Sequence, residues 1–152
     1  MPADRTDGGF GGGVHRFALT VYFEDTDLSG VVYHANYLRY MERARSEMLA
    51  DAGIDQRAAW EARTGVYAIR SLDIVYHAPA RLGDRLVVES RLAGHGAAFA
   101  RVHQRVIRND ALLTEAKVVA AFVSSEGRPT RQPRAWIEIF ERLKTGSPRA
   151  PQ

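Results

Sequence analysis

The chain has 152 residues, of which 45% are hydrophobic and none is cysteine, and its formal net charge is +3. This length and composition predict one globular domain with a core of its own. The lack of cysteine excludes a disulfide framework and a thiolate metal site, and no apolar run approaches the ~18 residues of a membrane span. The N-terminus has no apolar stretch typical of secretory signals, so we expect a cytoplasmic protein.

Hydrophobic periodicity in the first third of the chain predicts a tail, a strand and a long helix. Residues 1–13 are rich in glycine and poor in apolar side chains, so we expect them to be disordered. Apolar and polar residues alternate from Phe17 to Glu24, which indicates a half-buried strand. A helix is predicted over residues 36–52. Its predicted apolar face consists of Leu38, Met41, Ala44, Met48 and Leu49.

The remainder of the chain is mainly extended and ends in a helix. A polar stretch follows the first helix, and four strands are then predicted, over residues 66–78, 85–92, 98–108 and 112–124. A last helix is expected to begin at Pro133, because proline is favoured in the first turn. The predicted apolar stripe of this helix is Trp136, Ile139, Phe140 and Leu143, and residues 144–152 are expected to be a flexible tail.

The order of these elements predicts the fold class. One strand, one long helix and four further strands are typical of an α+β fold, in which an antiparallel sheet carries a central helix on one face. Residues 14–143 are expected to form this single domain.

Residues 24–37 hold the chain's most informative chemistry. They place a carboxylate, a glycine turn, an imidazole and a helix start within one short segment. Attack on a carbonyl needs a base or nucleophile beside a donor for the oxyanion. Asp27 can be the first, and a main-chain N–H at the helix start, near His34, can be the second. A role for Asp27 as a turn cap and for His34 as a structural residue stays open on these grounds.

The same segment resembles the hotdog-fold acyl-CoA thioesterases of the 4-hydroxybenzoyl-CoA thioesterase type, above all the branch encoded with the Tol-Pal cell-envelope system. The likeness rests on the run EDTD at residues 24–27, on GVVYH at residues 30–34 with a tyrosine three residues after the histidine, and on ERAR at residues 42–45. The run YHAPARLGD at residues 76–84 resembles the family's second strand and its turn. In all, the resemblance covers about residues 16–133.

The resemblance implies a fold and an activity. The fold is a curved antiparallel sheet wrapped around one helix, and the protein is a homodimer or homotetramer with two sites per dimer between subunits. The activity is hydrolysis of an acyl-CoA to a free acid and CoA without cofactor or metal. Acyl carrier protein is a second candidate partner, and nucleic acid is not expected.

The resemblance also assigns roles to residues. Asp27 is the nucleophile or the general base, two roles that the sequence does not separate. The main-chain N–H at His34 is the oxyanion donor, and the His34 side chain is an accessory group. Glu42 and Glu47 are reserve carboxylates on the helix, although an ion pair between Glu42 and Arg45 is the better expectation. The expected substrate-binding residues are Gly30, Tyr33, Asn36 and Tyr37. Backbone shape stays open as the reason for Gly30, and ordinary packing and helix capping stay open for the other three.

Arginine or lysine side chains are expected to meet the phosphates of CoA. Here the chain departs from the aromatic acyl-CoA enzymes, which carry basic residues before a phenylalanine in the middle of the sheet. This chain has GHGAA at residues 94–98 before Phe99. The candidate cations are Arg101, Arg105, Arg108, Lys117, Arg128 and Arg131.

Two other functions remain open. Asp27 and His34 also offer the acid–base pair of a hydratase or dehydratase acting on acyl thioesters, although the loop does not resemble the hydratase signature. A binding or scaffold protein of the envelope machinery, which holds an acyl thioester or acyl carrier protein without turning it over, is the third reading.

Overall fold

The computed structural model describes residues 9–144, which form a six-stranded antiparallel sheet with one long helix across a face. The predicted α+β architecture is therefore observed. In chain order the elements are β1 (Gly9–Gly11), β2 (Val14–Thr20), a 3-10 turn (Phe23–Asp25), α1 (Asn36–Asp51), α2 (Gln56–Glu61), β3 (Val66–Tyr76), β4 (Arg85–His95), β5 (Phe99–Arg108), β6 (Ala111–Val123) and α3 (Arg134–Lys144).

The strand order places the short β1 at one edge of the sheet and the long β3 at the other. The strands lie in the order β1-β2-β4-β5-β6-β3, and every neighbouring pair is antiparallel. Register shifts interrupt the pairing of β3, β4 and β5, and such bulges bend and twist a sheet. Among residues 9–144, β3 is bonded on one side only, to β6, so its other side is a free edge there.

Helix α1 has the predicted position, but its buried face is rotated from the predicted one. Leu38 is 39% exposed, whereas Tyr37 and Tyr40 are 3% and 1% exposed. Met41 and Ala44, which are fully buried, define the face, and Tyr37 and Tyr40 lie on it because each precedes one of them by four residues. The prediction that Leu38 is a core residue was therefore wrong, because the large tyrosine rings fill that side of the core.

The first strand ends earlier than predicted. β2 stops at Thr20, and Phe23 is 80% exposed instead of facing the core. The alternation of buried and exposed residues ends because the chain turns at Phe23–Asp25. The Asp25 side chain stabilises this turn, since its Oδ2 accepts the Tyr22 N–H over 2.9 Å. The Thr26 hydroxyl also donates to the Phe23 carbonyl over 2.8 Å.

The ends of the described region differ from the predicted tails. Gly9–Gly11 pair with β2, so the predicted disorder of residues 1–13 is wrong for this part, and residues 1–8 lie outside the described residues. Phe10 anchors the short strand, since its ring packs edge-on against His15 at 5.0 Å between centroids. At the other end α3 includes Lys144, and residues 145–152 lie outside the description.

Two groups of buried side chains form the core. One lies beneath the first half of α1, and the other lies between its second half, α3 and the sheet. The stripe predicted for α3 is largely observed, because Trp136, Phe140 and Leu143 are buried and Ile139 is partly buried. No helix among the described residues is long and apolar enough to cross a membrane.

The orientation of α1 is testable by two substitutions on the same helix. Met41→Ala should lower the free energy of unfolding by about 2–5 kcal/mol, because it leaves a cavity in the core. Leu38→Ala should change it by only about 0.5 kcal/mol, since the side chain is half exposed. Urea unfolding at fixed protein concentration measures both values. Equal losses for the two variants would contradict the observed orientation.

Candidate active site

Residues 26–32, termed the Asp27 loop, form a tight hairpin before α1. The Asp27 N–H donates to the Val31 carbonyl over 2.9 Å, and the Gly30 N–H donates to the Asp27 carbonyl over 3.0 Å. Thr26 and Val32 pair as an antiparallel bridge. Gly30 has φ +80°, and a Cβ there would meet no atom within 4 Å. The glycine is therefore required by the backbone conformation and not by lack of space.

Backbone contacts fix the Asp27 loop to the rest of the fold. The Val32 N–H donates to the Ala80 carbonyl over 2.8 Å. The Asp25 carbonyl accepts the Tyr33 N–H over 2.9 Å and the Asn36 side-chain amide over 2.8 Å. The Asn36 amide nitrogen, expected near substrate, thus ties the loop to the start of α1.

The Asp27 carboxylate is exposed and ionised. Its Oδ1 accepts the Ser29 hydroxyl over 2.6 Å and the Ser29 N–H over 2.9 Å. These two bonds, the hydroxyl first, hold the pKa of Asp27 below its usual range. The group is therefore an anion at neutral pH, as a nucleophile or general base must be.

The main chain at His34 offers an uncommitted donor. Within residues 9–144 the His34 N–H has no hydrogen-bond acceptor, while the His34 carbonyl accepts the Tyr76 hydroxyl over 3.0 Å. His34 lies two residues before the first residue of α1, whose sixteen residues align their dipoles behind it. A free N–H at such a place is suited to bind an oxyanion.

Aromatic side chains form a recess beside this N–H, here termed the loop recess. The His34 ring contacts Tyr33 at 4.5 Å and meets Tyr76 edge-on at 6.3 Å between centroids. Tyr37 is buried in the wall, where its hydroxyl accepts the Ala80 N–H over 3.1 Å and burial raises its pKa. The recess is lined by Val32, His34, Tyr37 and residues 76–79.

The predicted residues Asp27 and Gly30 therefore lie in the Asp27 loop, and Tyr33 and His34 follow it directly before α1. It adds two residues that the sequence analysis did not single out for the site. Ser29 follows Asp27 by two residues, a spacing typical of an Asx turn, and this signal was available. Tyr76 had no local signal, since the fold alone brings the end of β3 to the loop.

The reserve carboxylates lie apart from this arrangement. Glu42 and Glu47 are exposed on α1, and Glu42 accepts the Ser46 hydroxyl over 3.0 Å. The expected ion pair between Glu42 and Arg45 is not formed within the described residues. Arg45 instead donates to Gln104 Oε1 over 2.9 Å.

The candidate CoA-binding cations divide into paired and unpaired groups. Arg108 is paired with Asp84 at 2.7 Å, and Arg105 lies 3.4 Å from Glu89. Arg101 has no carboxylate partner among residues 9–144, and its guanidinium lies 5.0 Å from the centroid of the Phe99 ring. Arg101 and Phe99 line a shallow recess on the open face of the sheet with Arg70, Ser71 and Val119. Lys117, Arg128 and Arg131 are exposed.

The described residues contain no group of three His, Asp or Glu side chains that could hold a metal ion. The nearest approach is Glu115, whose two oxygens lie 3.1 Å from His77 and 3.6 Å from His103. The hydrogen bond from His77 is the main cause that lowers the pKa of Glu115.

Comparison with known proteins gives a consistent result. The family model "Thioesterase-like superfamily" matches residues 21–144. The Haemophilus influenzae protein named acyl-CoA thioesterase YbgC is 36% identical over 129 residues, which cover 84% of this chain and 95% of that protein. A probable thioesterase from Bartonella henselae has a TM-score of 0.75 at 35% identity, over 79% of this chain and 99% of its own.

A further solved structure bears on the fold. A variant of 4-hydroxybenzoyl-CoA thioesterase with bound 4-hydroxybenzoyl-CoA has a TM-score of 0.78 at 20% identity, over 83% of this chain and 97% of its own. At this identity the likeness concerns the fold, and the hotdog fold expected from the sequence is confirmed.

The role of Ser29 in keeping Asp27 ionised is testable by titration. Ser29→Ala removes the hydroxyl bond but keeps the N–H bond, so the pKa of Asp27 should rise toward its ordinary value of 3.8. Carboxyl-carbon NMR of labelled protein measures this shift. Ser46→Ala, which removes a hydroxyl from Glu42 instead, is the matched control and should leave Asp27 unchanged. An unchanged Asp27 titration in Ser29→Ala would contradict the assigned cause.

Proposed function

The chain belongs to the thioesterase-like superfamily, and from that premise we propose that it hydrolyses acyl-CoA thioesters at the Asp27 loop. One observation carries the assignment of the site. An ionised, exposed carboxylate at Asp27 is followed seven residues later, just before α1, by a main-chain N–H at His34 that has no acceptor among residues 9–144. These are the two groups that attack on a thioester carbonyl requires.

The chemistry follows from these two groups. As nucleophile, the Asp27 carboxylate adds to the thioester carbonyl carbon, and the electron pair of the C=O moves to oxygen, where the His34 N–H binds it. Collapse expels the CoA thiolate and leaves a mixed anhydride, which water opens to a free acid while Asp27 is regenerated. As general base, Asp27 instead takes a proton from the attacking water. Both routes consume one water and yield the same acid and CoA.

The surrounding side chains orient the substrate in this proposal. Gly30 lets the loop turn tightly enough to leave the carbonyl carbon accessible to Asp27. Tyr33 and Tyr37 form the apolar wall beside the thioester, and Asn36 holds the loop against the helix. The His34 imidazole lies at the mouth of the loop recess, where it can assist the leaving thiolate.

We further propose that β3 pairs with β3 of a second copy, as in a homodimer, which also allows a homotetramer. Unpaired edge strands tend to find a partner, and this edge carries Ile69, Val75 and Tyr76 at 48%, 47% and 44% exposure. Two sites would then lie between the subunits. We also propose that the enzyme acts in the cytoplasm on acyl-CoA. Acyl carrier protein is a second proposed partner, and we propose a functional link to the Tol-Pal system.

The first test is CoA release from a panel of acyl-CoAs, followed with a thiol reagent, to which this cysteine-free chain adds no background. Asp27→Asn should lower kcat/KM by about 100-fold or more while the protein stays folded. His34→Ala should lose less than that, because the main-chain N–H remains in place.

Two results would count against the proposal. If the wild type released no CoA from any member of the panel, a binding function would replace hydrolysis. If Asp27→Asn matched the wild type, the carboxylate would have to come from elsewhere, and Glu42→Gln and Glu47→Gln would be the next variants.

A second test concerns the phosphates of CoA. We propose that Arg70 and Arg101, which line one recess with Phe99, bind them on the open face of the sheet. Arg101→Gln should raise KM for the CoA ester several-fold and leave the ester of N-acetylcysteamine, which has no phosphate, unaffected. Arg105→Gln is the matched control, since that arginine already faces Glu89. Equal effects on the two esters would contradict a phosphate contact.

A further inference from the structure

A second cavity lies at the other end of α1, between its last two turns and the sheet, and is here termed the Arg45 cavity. Its walls are mostly apolar and come from α1, β4, β5, β6 and α3, while Glu42, Ser46 and Gln56 add polar groups to the lining. The wall nearest the free edge of the sheet is formed by Tyr67 and Ile69 of β3, and Ile69 is half exposed. The apolar residues of the other walls include Met48, Leu49, Leu92, Val102 and Phe140.

A guanidinium interrupts this apolar lining. Arg45 Nη1 donates to Gln104 Oε1 over 2.9 Å, and Gln104 is fully buried. The amide nitrogen of Gln104 is committed to the Met41 carbonyl and to Ser90 Oγ, both at 2.9 Å. Gln104 therefore presents its oxygen to Arg45 and cannot turn away without losing two hydrogen bonds.

The Arg45 guanidinium has no anionic partner in the part of the chain that the structure describes. No carboxylate lies within 4 Å of it, although Glu42 is close enough to act on it electrostatically from the exposed rim. Burial lowers the pKa of Arg45, which reflects the cost of holding a cation in this place. Of its five N–H donors, one is used by Gln104.

A half-buried charge without an anionic partner is costly, and a planar guanidinium matches a carboxylate in two parallel hydrogen bonds. Apolar walls with one such cation favour a ligand that has an apolar body and an anionic end. An acyl chain that ends in a carboxylate has this chemistry.

The position of the cavity relates it to the Asp27 loop of another copy. Within one chain, Arg45 lies nine residues beyond the start of α1, or about 14 Å along the helix at ~1.5 Å per residue. The last residue of β3, Tyr76, lies beside His34 at the Asp27 loop. The second residue of the strand, Tyr67, lines the Arg45 cavity, so the two ends of β3 lie at the two different sites. When two β3 edges pair antiparallel, the end of one lies beside the start of the other. The loop of one copy then adjoins the cavity of its partner.

We propose that the Arg45 cavity receives the far end of an acyl group whose thioester is held at the Asp27 loop of the partner subunit, and that Arg45 makes the enzyme favour acyl groups ending in a carboxylate. The inference rests on the proposed hydrolase function and on the pairing of β3 edges. Arg45 is in this view a specificity residue that contacts the substrate.

Matched esters test the specificity. The ratio of kcat/KM for adipoyl-CoA, the mono-thioester, to that for hexanoyl-CoA reports the terminal carboxylate at constant chain length, and longer matched pairs extend the series. Arg45→Met should lower this ratio at least tenfold, and Arg45→Lys should restore part of it. Glu42→Gln should raise the ratio, because a like charge is removed from the rim. Arg43→Met, an exposed arginine on the same helix, is the control and should leave the ratio unchanged.

Mixed dimers test the arrangement between subunits. Asp27→Asn and Arg45→Met homodimers should each hydrolyse adipoyl-CoA poorly. After unfolding and joint refolding of equal amounts, half of the dimers are mixed, and each mixed dimer has one site with both residues intact. Adipoyl-CoA activity should then recover to about a quarter of the wild-type value, as expected for a two-fold dimer.

The possible failures are distinct. If the wild type hydrolysed hexanoyl-CoA but Arg45→Met left the ratio unchanged, the inference would be overturned and the hydrolase function would stand. Absence of recovery in the mixed dimers would overturn the arrangement between subunits. If Asp27→Asn kept full activity, the assignment of the site to the Asp27 loop would fail, and if no ester released CoA, the hydrolase function itself would fail. Either result would overturn the inference.

Discussion

The pairing of the Asp27 loop with the segment before β4 is the contact on which the rest of the site depends. The Val32 N–H donates to the Ala80 carbonyl, and the bridge between Val31 and Arg81 continues this pairing. Backbone bonds of this kind do not depend on side-chain rotamers, so they hold a loop to a sheet with little freedom. Preorganised groups avoid reorganisation when charge develops, which is the main electrostatic advantage of an enzyme over water.

This arrangement leaves polar groups without the hydrogen-bond partners that a stable turn would normally supply, which lowers the stability of the loop. The His34 N–H is left without an acceptor among the described residues, and Asp27 is held as an anion by Ser29 and not by a cation. A nearby arginine would stabilise the carboxylate further but would also weaken it as a nucleophile or base. Neutral donors at Ser29 keep it ionised with a smaller loss of reactivity.

Much of the fold could be predicted from the sequence, because local hydrophobic periodicity indicates one strand, one helix and four further strands in that order. The errors fall where a long-range contact decides. Leu38 fits the helical pattern, yet it is exposed, and Tyr37 and Tyr40 are buried in the core instead. Phe23 fits the strand pattern, yet the turn at Asp25 exposes it. In the site, Asp27 and His34 were recognisable from a local motif, whereas Arg45 and Gln104 meet only because β5 lies beneath α1, which no local pattern indicates.

Helix α1 connects these features, since its two ends serve different demands. Its start must leave N–H groups free, and an exposed loop that faces solvent can do so at low cost. Its second half covers apolar walls and carries Arg45, which is half-buried there and receives one hydrogen-bond partner from the rigidly held Gln104. A single helix cannot bring both ends to one substrate. In the proposed dimer, antiparallel pairing of the exposed β3 edges would align the start of one helix with the end of the other, and this would remove the conflict.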